Sequence, residues 1–244
     1  MEQESISLNK FISDTGLCSR READKLIVSG RVTINGIPAK TGNRVYPAQV
    51  VTIDGEILKI KEKTIYLAFN KPVGVSCSTD LKDKHNIIDY IAYQKRIFPI
   101  GRLDKDSEGL IFLTNDGNIV NKILRAGNNH EKEYLVTVDK PISNEFIDRM
   151  AAGVKILGTV TKKCFIKREQ KFVFRIILVQ GLNRQIRRMC NELGYNVKRL
   201  VRIRIMNITL KSISPGKWRY LNEAELQQIN ELVKGSMKTE EASR

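Results

Sequence analysis

The sequence predicts an α+β protein in which a small N-terminal α/β module precedes a larger domain built on a mixed β-sheet. The chain has 244 residues, of which 41% are hydrophobic, and this is sufficient for one full core and a small additional module. In the larger part, strand-like and helix-like segments follow each other without regular alternation. That order favours α+β over a doubly wound fold.

The N-terminal module is predicted from two helices and two hairpins within residues 1–58. Apolar residues with helical spacing indicate the first helix. Ser19 and Glu22 have the spacing of a capping box, which places the start of the second helix. The pairs Asn35-Gly36 and Asp54-Gly55 then indicate two β-hairpins. A unit of this size is near the lower limit for independent stability, so we interpret it as an accessory module.

The larger domain is assigned to residues 65–234, after a charged linker at 59–64 and before a flexible tail at 235–244. Strands are predicted at residues 65–69, 110–114, 133–138 and 172–179. Helices are predicted at residues 118–125, 144–152, 187–193 and 223–233. Asn222 and Glu225 supply a second capping box at the start of the last helix.

Positive charge is concentrated in one stretch of this domain. The chain carries 42 Lys and Arg against 27 Asp and Glu, a net charge of +15, which favours association with polyanions such as nucleic acid. Residues 160–204 contain thirteen of the basic residues but only two acidic ones, Glu169 and Glu192. The main polyanion surface is therefore predicted in this stretch.

The cysteine and histidine inventory argues against a metal site. Cys18, Cys77, Cys164 and Cys190 are widely separated, and the chain has only two histidines. Clustered ligands of the kind that zinc requires are missing, so we expect neither a metal nor another cofactor. Neither a signal-like N-terminus nor an apolar run long enough to span a bilayer is present. We expect a cytoplasmic protein without membrane contact.

Arginines are concentrated at two predicted helix starts, where positive charge opposes the helix dipole. Arg20 and Arg21 occupy the first turn of the second helix, which is consistent with a phosphate contact or with a solvated charged face. Arg184, Arg187 and Arg188 have i, i+3, i+4 spacing, and three cations there require an anion. Arg187 lies between apolar neighbours, which predicts that it points inward to a carboxylate.

Three carboxylates in one loop can meet that requirement: Asp104, Asp106 and Glu108. The loop leads into an apolar strand, a common position for catalytic groups. From the residues alone, Asp104 is equally an ordinary turn aspartate, and the three are equally eligible. Two carboxylates about 5–9.5 Å apart would serve a glycosidase, so a uridine glycosidase is an alternative.

Three motifs, in order along the chain, carry a family resemblance. They are Gly101-Arg102-Leu103-Asp104, the segment from His130 to Tyr134, and the segment from Gly181 to Met189. Together they resemble the motifs of the pseudouridine synthases of the RsuA/RluB/RluF group, most closely its RluF-type members. Residues 6–55 resemble an S4 RNA-binding module.

The resemblance implies a mixed, largely antiparallel sheet flanked by helices and loops, and a cofactor-free isomerisation of uridine to pseudouridine in RNA. It implies Asp104 as the catalytic carboxylate, Arg187 as its partner and Tyr134 as the ring over the uracil. Leu200 is expected in the pocket wall, and Arg102 beside the flipped nucleotide. Further RNA contacts are expected from Arg184, Arg188, Asn9, Lys10, Arg20, Arg21 and Lys25.

The expected partner is RNA, namely 23S ribosomal RNA with transfer RNA as a further candidate, and the expected state is a monomer. A non-catalytic S4-type RNA-binding protein is the other alternative. It would use the same basic surfaces without chemistry at Asp104.

Overall fold

The computed structural model describes residues 5–59, 64–80 and 82–236. Residues 60–63 of the predicted linker and 237–244 of the predicted tail lie outside the described residues. The chain divides into two units: one extends to Thr64 and includes Gln94–Arg96, and the other contains the remaining residues from Ile65 onward.

The first unit combines two helices with short strands. Its elements are β1 (Ile6–Ser7), α1 (Leu8–Asp14), α2 (Arg20–Val28), β2 (Val32–Ile34), β3 (Ile37–Pro38), β4 (Arg44–Val45), β5 (Val51–Ile53) and β6 (Glu56–Ile57). The predicted capping box is present, because Ser19 and Glu22 each accept a hydrogen bond from the other's backbone N–H. Asn35 and Asp54 have positive φ, as the hairpin turns require. The predicted helices and hairpins are confirmed.

The second unit contains the remaining elements. They are β7 (Tyr66–Lys71), α3 (Ile87–Ile91), β8 (Phe98–Ile100), β9 (Glu108–Thr114), α4 (Gly117–Leu124), β10 (Lys132–Val138), α5 (Asn144–Ala152), β11 (Lys155–Ile156), β12 (Thr159–Val160), β13 (Phe165–Gln170), β14 (Val173–Leu178), α6 (Gln185–Glu192), β15 (Val197–Ile205), β16 (Ile208–Thr209), β17 (Trp218–Tyr220) and α7 (Glu223–Val233).

A nine-stranded sheet organises this unit, in the order β13-β14-β10-β15-β9-β7-β17 with β16 on β15 and β8 on β9. Its strand pairs are antiparallel except for β9 with β15, which is parallel. The sheet separates two apolar clusters. Along β9, Ile111 and Leu113 enter one cluster, while Leu110 and Phe112 enter the other. The predicted α+β class with a mixed, largely antiparallel sheet is confirmed.

The parallel pairing of β9 with β15 depends on a glycine. Gly109 has φ +109°, and a Cβ built there would lie 2.3 Å from the Arg202 carbonyl oxygen and 2.7 Å from its amide nitrogen. A side chain at this position would force the two strands apart at the point where β9 leaves the Asp104 loop.

Gly109→Ala is therefore expected to lower the free energy of unfolding by about 2–4 kcal/mol, through backbone strain and overpacking. Urea unfolding followed by the fluorescence of Trp218, the single tryptophan, measures the change in this sheet. Gly117→Ala is the matched control, because nothing lies within 4 Å of its Cβ position. An equal loss of stability in both variants would contradict the role given to Gly109.

Candidate active site

The loop between β8 and β9 carries Asp104 and is held by backbone hydrogen bonds. The Ser107 amide donates to the Asp104 carbonyl at 3.0 Å, which closes a turn across the two acidic residues. The Gly74 amide donates to the Lys105 carbonyl at 2.8 Å. The Leu103 amide donates to the Cys77 Sγ at 3.2 Å. These hydrogen bonds fix the backbone on both sides of Asp104 independently of the contacts of its side chain.

Two arginines of the α6 region face the Asp104 carboxylate. Arg184 Nη1 lies 3.5 Å from Asp104 Oδ2, and Arg187 Nε lies 3.8 Å from the same oxygen. The structure therefore brings Asp104 and Arg187 together at ion-pair distance, without a hydrogen bond between them. Within the described part of the chain, Asp104 Oδ1 accepts no hydrogen bond, so this oxygen is available to a bound molecule.

Asp106 binds the same two arginines more closely than Asp104 does. Arg184 Nη2 lies 3.2 Å from Asp106 Oδ2, and Arg187 Nη2 lies 3.4 Å from that oxygen. Partial burial raises the pKa of Asp106, but the Arg184 hydrogen bond and both guanidinium charges outweigh it and lower the pKa. Asp106 thus holds the two arginines in place. The residue pattern did not predict this role, because it did not distinguish Asp106 from Asp104 and Glu108.

Arg187 points inward, as its apolar neighbours indicated, and its side chain is 13% exposed. Its Nη2 donates to the Asp106 carbonyl at 3.0 Å and to Ser107 Oγ at 3.1 Å, while Nη1 donates to the Val197 carbonyl at 3.3 Å. One guanidinium therefore connects the Asp104 loop to α6 and to the start of β15. Loss of this side chain would remove the connection between the loop and α6 as well as a charge.

Arg188 is not part of this arrangement, although it follows Arg187 directly. Its Nε donates to the Asn183 carbonyl at 3.0 Å, and its Nη2 donates to Asn183 Oδ1 at 3.2 Å. Two of the three arginines at this helix start thus face carboxylates, and the third donates hydrogen bonds to the preceding loop.

A cavity of about 610 Å³ opens beside the loop. The predicted residues Asp104, Arg102, Tyr134, Leu200, Arg184 and Arg187 all line it. Among the described residues that line this cavity, Asp104 is the only acidic one. Asp106 does not line it, and Glu108 pairs instead with Arg199. Of the three carboxylates, only Asp104 therefore lines the cavity, and the residue pattern could not make this distinction.

Tyr134 and Leu200 come from neighbouring strands of the cavity wall. Tyr134 on β10 is 9% exposed and pairs with Arg202 on β15. Leu200, on β15, pairs with Val136, which lies two residues beyond Tyr134 on the same strand face. An aromatic ring and an apolar side chain therefore lie side by side in a cavity that six basic residues also line.

Two further cavity residues, Lys132 and Arg202, were not predicted as site residues. Both are buried, with 6% and 4% exposure. Lys132 lies in the second motif, two positions before Tyr134, but a lone lysine in a strand carries no signal of burial. Arg202 was counted only as part of the basic stretch.

Part of the positive charge in residues 160–204 is neutralised within the protein, and the location of the main polyanion surface in this stretch stays a prediction. Within the described residues, five of its thirteen cations pair with carboxylates, namely Arg175, Arg184, Arg187, Arg199 and Arg204. Most of these carboxylates lie outside the stretch, for example Glu131 and Glu133. A local charge count could not detect them, because strand pairing brings them together.

The remaining predicted RNA contacts lie in the first unit. Arg20, Arg21 and Lys25 are exposed on α2. Asn9 donates to Asp24 at 3.0 Å, and Lys10 pairs with Asp14, so these two side chains have partners within the unit.

Neither a cluster of three potential metal ligands nor a helix able to cross a membrane occurs in residues 5–59, 64–80 and 82–236.

Comparison with known proteins assigns both units. The family model of RNA pseudouridylate synthases matches residues 65–192, and the model of the S4 domain matches residues 7–51. A curated relative from Escherichia coli (strain K12), the dual-specificity RNA pseudouridine synthase RluF, is 57% identical over 238 residues, which are 97% of this chain and 82% of the relative.

More distant relatives agree with this assignment. An uncharacterized RNA pseudouridine synthase from Aquifex aeolicus (strain VF5) is 36% identical over 239 residues, covering 93% of this chain and 95% of the relative. A solved structure described as a pseudouridylate synthase superposes with a TM-score of 0.67 at 29% identity, and covers 92% of this chain and 99% of that one.

Proposed function

Because this chain belongs to the RNA pseudouridine synthase family and carries an S4 domain, we propose that it isomerises a uridine of 23S ribosomal RNA to pseudouridine with Asp104 as the catalytic carboxylate. The observation that carries this assignment is the cavity in which Asp104 is the only acidic side chain among the described residues. No cofactor is needed, because the reaction rearranges one nucleoside.

The reaction requires a carboxylate at C1′ of the target uridine. The N1–C1′ bond breaks, the base turns, and C5 bonds to C1′. Asp104 acts there as nucleophile or as base. Arg184 and Arg187 both approach Oδ2, so they orient the carboxylate and leave Oδ1 to face the sugar.

Tyr134 and Leu200 are assigned to the base. The Tyr134 ring stacks on the uracil and Leu200 supplies an apolar wall of the pocket, since both line the cavity and are mostly buried. A uridine in folded RNA reaches this depth only after extrusion from its stack. Arg102 is exposed and lines the cavity, and we assign it to the phosphate of the extruded nucleotide.

RNA binding outside the cavity is assigned to both units. Arg20 and Arg21 present exposed cations at the start of α2, where backbone N–H groups also favour phosphate, and Lys25 adds an exposed cation in the last turn of the helix. The E. coli relative is named a dual-specificity enzyme, and we propose a transfer RNA as the second substrate of this chain. The enzyme acts as a monomer.

A glycosidase is less well supported by the cavity. Glycoside hydrolysis uses two carboxylates about 5–9.5 Å apart, on either side of the sugar. The described residues that line the cavity supply Asp104 alone. A purely RNA-binding protein, in turn, does not require a carboxylate at ion-pair distance from two arginines in a cavity.

One incubation separates the three functions. Unmodified 23S RNA carrying tritium at C5 of uridine is mixed with the protein, and tritium in water, free uracil and pseudouridine are measured. We expect one tritium released for each pseudouridine formed and no free uracil, because C5 loses its hydrogen when it bonds to C1′.

Free uracil in place of pseudouridine would establish a glycosidase. An RNA that is bound but unchanged would establish a binding protein. Repeating the incubation with unmodified transfer RNA tests the second substrate separately.

A further inference from the structure

The cavity contains two buried cations that the mechanism above does not use. Lys132 and Arg202 are 6% and 4% exposed, and neither forms an ion pair with any described residue. Lys132 Nζ donates to the His130 carbonyl at 3.2 Å, and Arg202 Nε donates to the Leu110 carbonyl at 2.6 Å. The Nη2 of Arg202 is buried without a hydrogen-bond partner.

These two cations flank Tyr134. Arg202 is the cross-strand neighbour of Tyr134 on β15. Lys132 precedes Tyr134 by two residues on β10, so the two share a strand face about 7 Å apart. A flat ligand lying on the tyrosine ring would therefore have both positive charges near its edge.

Burial of a cation without a carboxylate is unfavourable, because the lost hydration is not replaced by an ion pair. Two such cations side by side also repel each other. Their placement in a cavity suits a ligand group that carries negative charge there.

The depth of the pair indicates which part of an RNA ligand supplies that charge. Arg102 and Lys105 also line the cavity but are exposed, and so they are suited to a hydrated phosphate near the opening. Lys132 and Arg202 are buried, so they are suited to the part of the ligand that is most fully enclosed. For an extruded nucleotide this part is the base.

We propose that Lys132 and Arg202 form a pair of cations at the edge of the bound base that stabilises the uracil anion released when the N1–C1′ bond breaks. This inference rests on the proposed function, and it assigns two residues that contact the detached base rather than the sugar.

The electron balance of the reaction requires such an anion. When the N1–C1′ bond breaks, its electron pair stays on N1, and the negative charge spreads to O2 and O4 of the ring. After the base turns, C5 supplies the pair for the new bond to C1′, the C5 proton leaves, and N1 takes up a proton. The base carries this charge whether Asp104 acts as nucleophile or as base, so the inference does not depend on that choice.

The positive charge of the Lys132–Arg202 pair depends on pH, because Lys132 can lose its proton. Burial lowers the pKa of Lys132 to about 8, and the charge of Arg202 contributes in the same direction. Its other strand neighbours, Leu178 on β14 and Ile205 on β15, are apolar. Lys132 is charged below this pKa, so kcat/KM is expected to fall as the pH rises through about 8.

The test uses single-turnover kinetics on saturating 23S RNA with the full-length enzyme. Lys132→Gln and Arg202→Gln are expected to lower the rate constant by about 100-fold or more, with RNA affinity unchanged within about threefold. Lys132→Arg keeps the charge, so it is expected to retain most of the rate and to move the alkaline fall of kcat/KM to higher pH. Lys155→Gln, which removes an exposed lysine from β11, is the control.

A substrate with 5-fluorouridine at the target position separates charge stabilisation from a structural role. Fluorine withdraws electrons and makes the uracil a better leaving group, so its release needs less help from the protein. The defect of Lys132→Gln in glycosidic bond cleavage is therefore expected to be at least about tenfold smaller on this substrate than on uridine.

Three results would overturn the inference: equal defects on the two substrates, a loss of affinity as large as the loss of rate, or normal rates in both glutamine variants. Thermal unfolding of each variant verifies folding, and Lys132→Arg carries the test if Arg202→Gln does not fold. A wild-type enzyme that forms no pseudouridine would instead refute the proposed function.

Discussion

Asp104→Asn is expected to reduce the single-turnover rate of pseudouridine formation by about 10⁴-fold or more, because it removes the group that acts at C1′. Asparagine has nearly the same shape as aspartate and lies in a loop fixed by backbone hydrogen bonds to Gly74 and Ser107. The cavity is therefore expected to keep its form. The affinity for RNA is expected to stay the same or to rise, since one negative charge is lost.

The measurement is tritium release from C5-labelled 23S RNA at saturating enzyme, with affinity measured by filter binding at the same salt concentration. The salt concentration is held constant because phosphate contacts depend strongly on it. A variant that releases tritium within tenfold of the wild-type rate would show that Asp104 does not act at the reacting carbon.

Arg187→Ala is expected to lower the same rate by about 10³-fold, because one side chain both orients Asp104 and ties its loop to α6. Arg187 is mostly buried, donates to Asp106 and Ser107, and lies 3.8 Å from Asp104. Its removal leaves Asp104 with Arg184 alone. Stability is expected to fall as well, so the rate is compared at a temperature where the variant is folded.

Two arginine variants serve as controls for Arg187→Ala. Arg188→Ala removes a neighbouring guanidinium whose hydrogen bonds, among the described residues, go only to Asn183, and its turnover is expected to stay within about tenfold of wild type. Arg20→Ala is expected to weaken RNA binding and to leave turnover at saturating RNA intact, because Arg20 lies exposed at the start of α2. Equal loss of turnover in Arg20→Ala and Arg187→Ala would contradict this division of roles.

Elements with strong local signals were predictable from the sequence. The capping boxes at Ser19 and Asn222 place the starts of α2 and α7, and both are present in the structure. The Asn-Gly and Asp-Gly hairpins and the apolar β9 and β10 were found for the same reason, since their pattern is complete within a few residues.

The strand β15 was missed, although it lies in the centre of the sheet. Its alternation of apolar and basic residues, with Arg199, Arg202 and Arg204, was interpreted as a charged surface. The charges are accommodated by carboxylates on other strands, such as Glu108 and Glu133, and by a backbone carbonyl of β9. Only the three-dimensional pairing supplies these partners, so tertiary context overrides the local pattern.

The candidate site was predictable in part. The crowding of arginines at the start of α6 required an anion, and the structure places Asp104 and Asp106 there. The choice of Asp104 over Asp106 needed the family resemblance, because both are loop carboxylates. Lys132 and Arg202 could not be found, since burial of a cation depends on what the sheet packs around it.

The most direct test of this account is a side-by-side comparison of three carboxylate variants on one preparation of 23S RNA. Asp104→Asn, Asp106→Asn and Glu108→Gln each remove one charge from the segment that runs from the Asp104 loop into the first residue of β9. We predict that pseudouridine formation is lost only in Asp104→Asn. Asp106→Asn is expected to be slowed by about 10–100-fold through less ordered arginines, and Glu108→Gln to be nearly unaffected. Pseudouridine formation by Asp104→Asn at or above the rate of Asp106→Asn would contradict the assignment of the catalytic carboxylate.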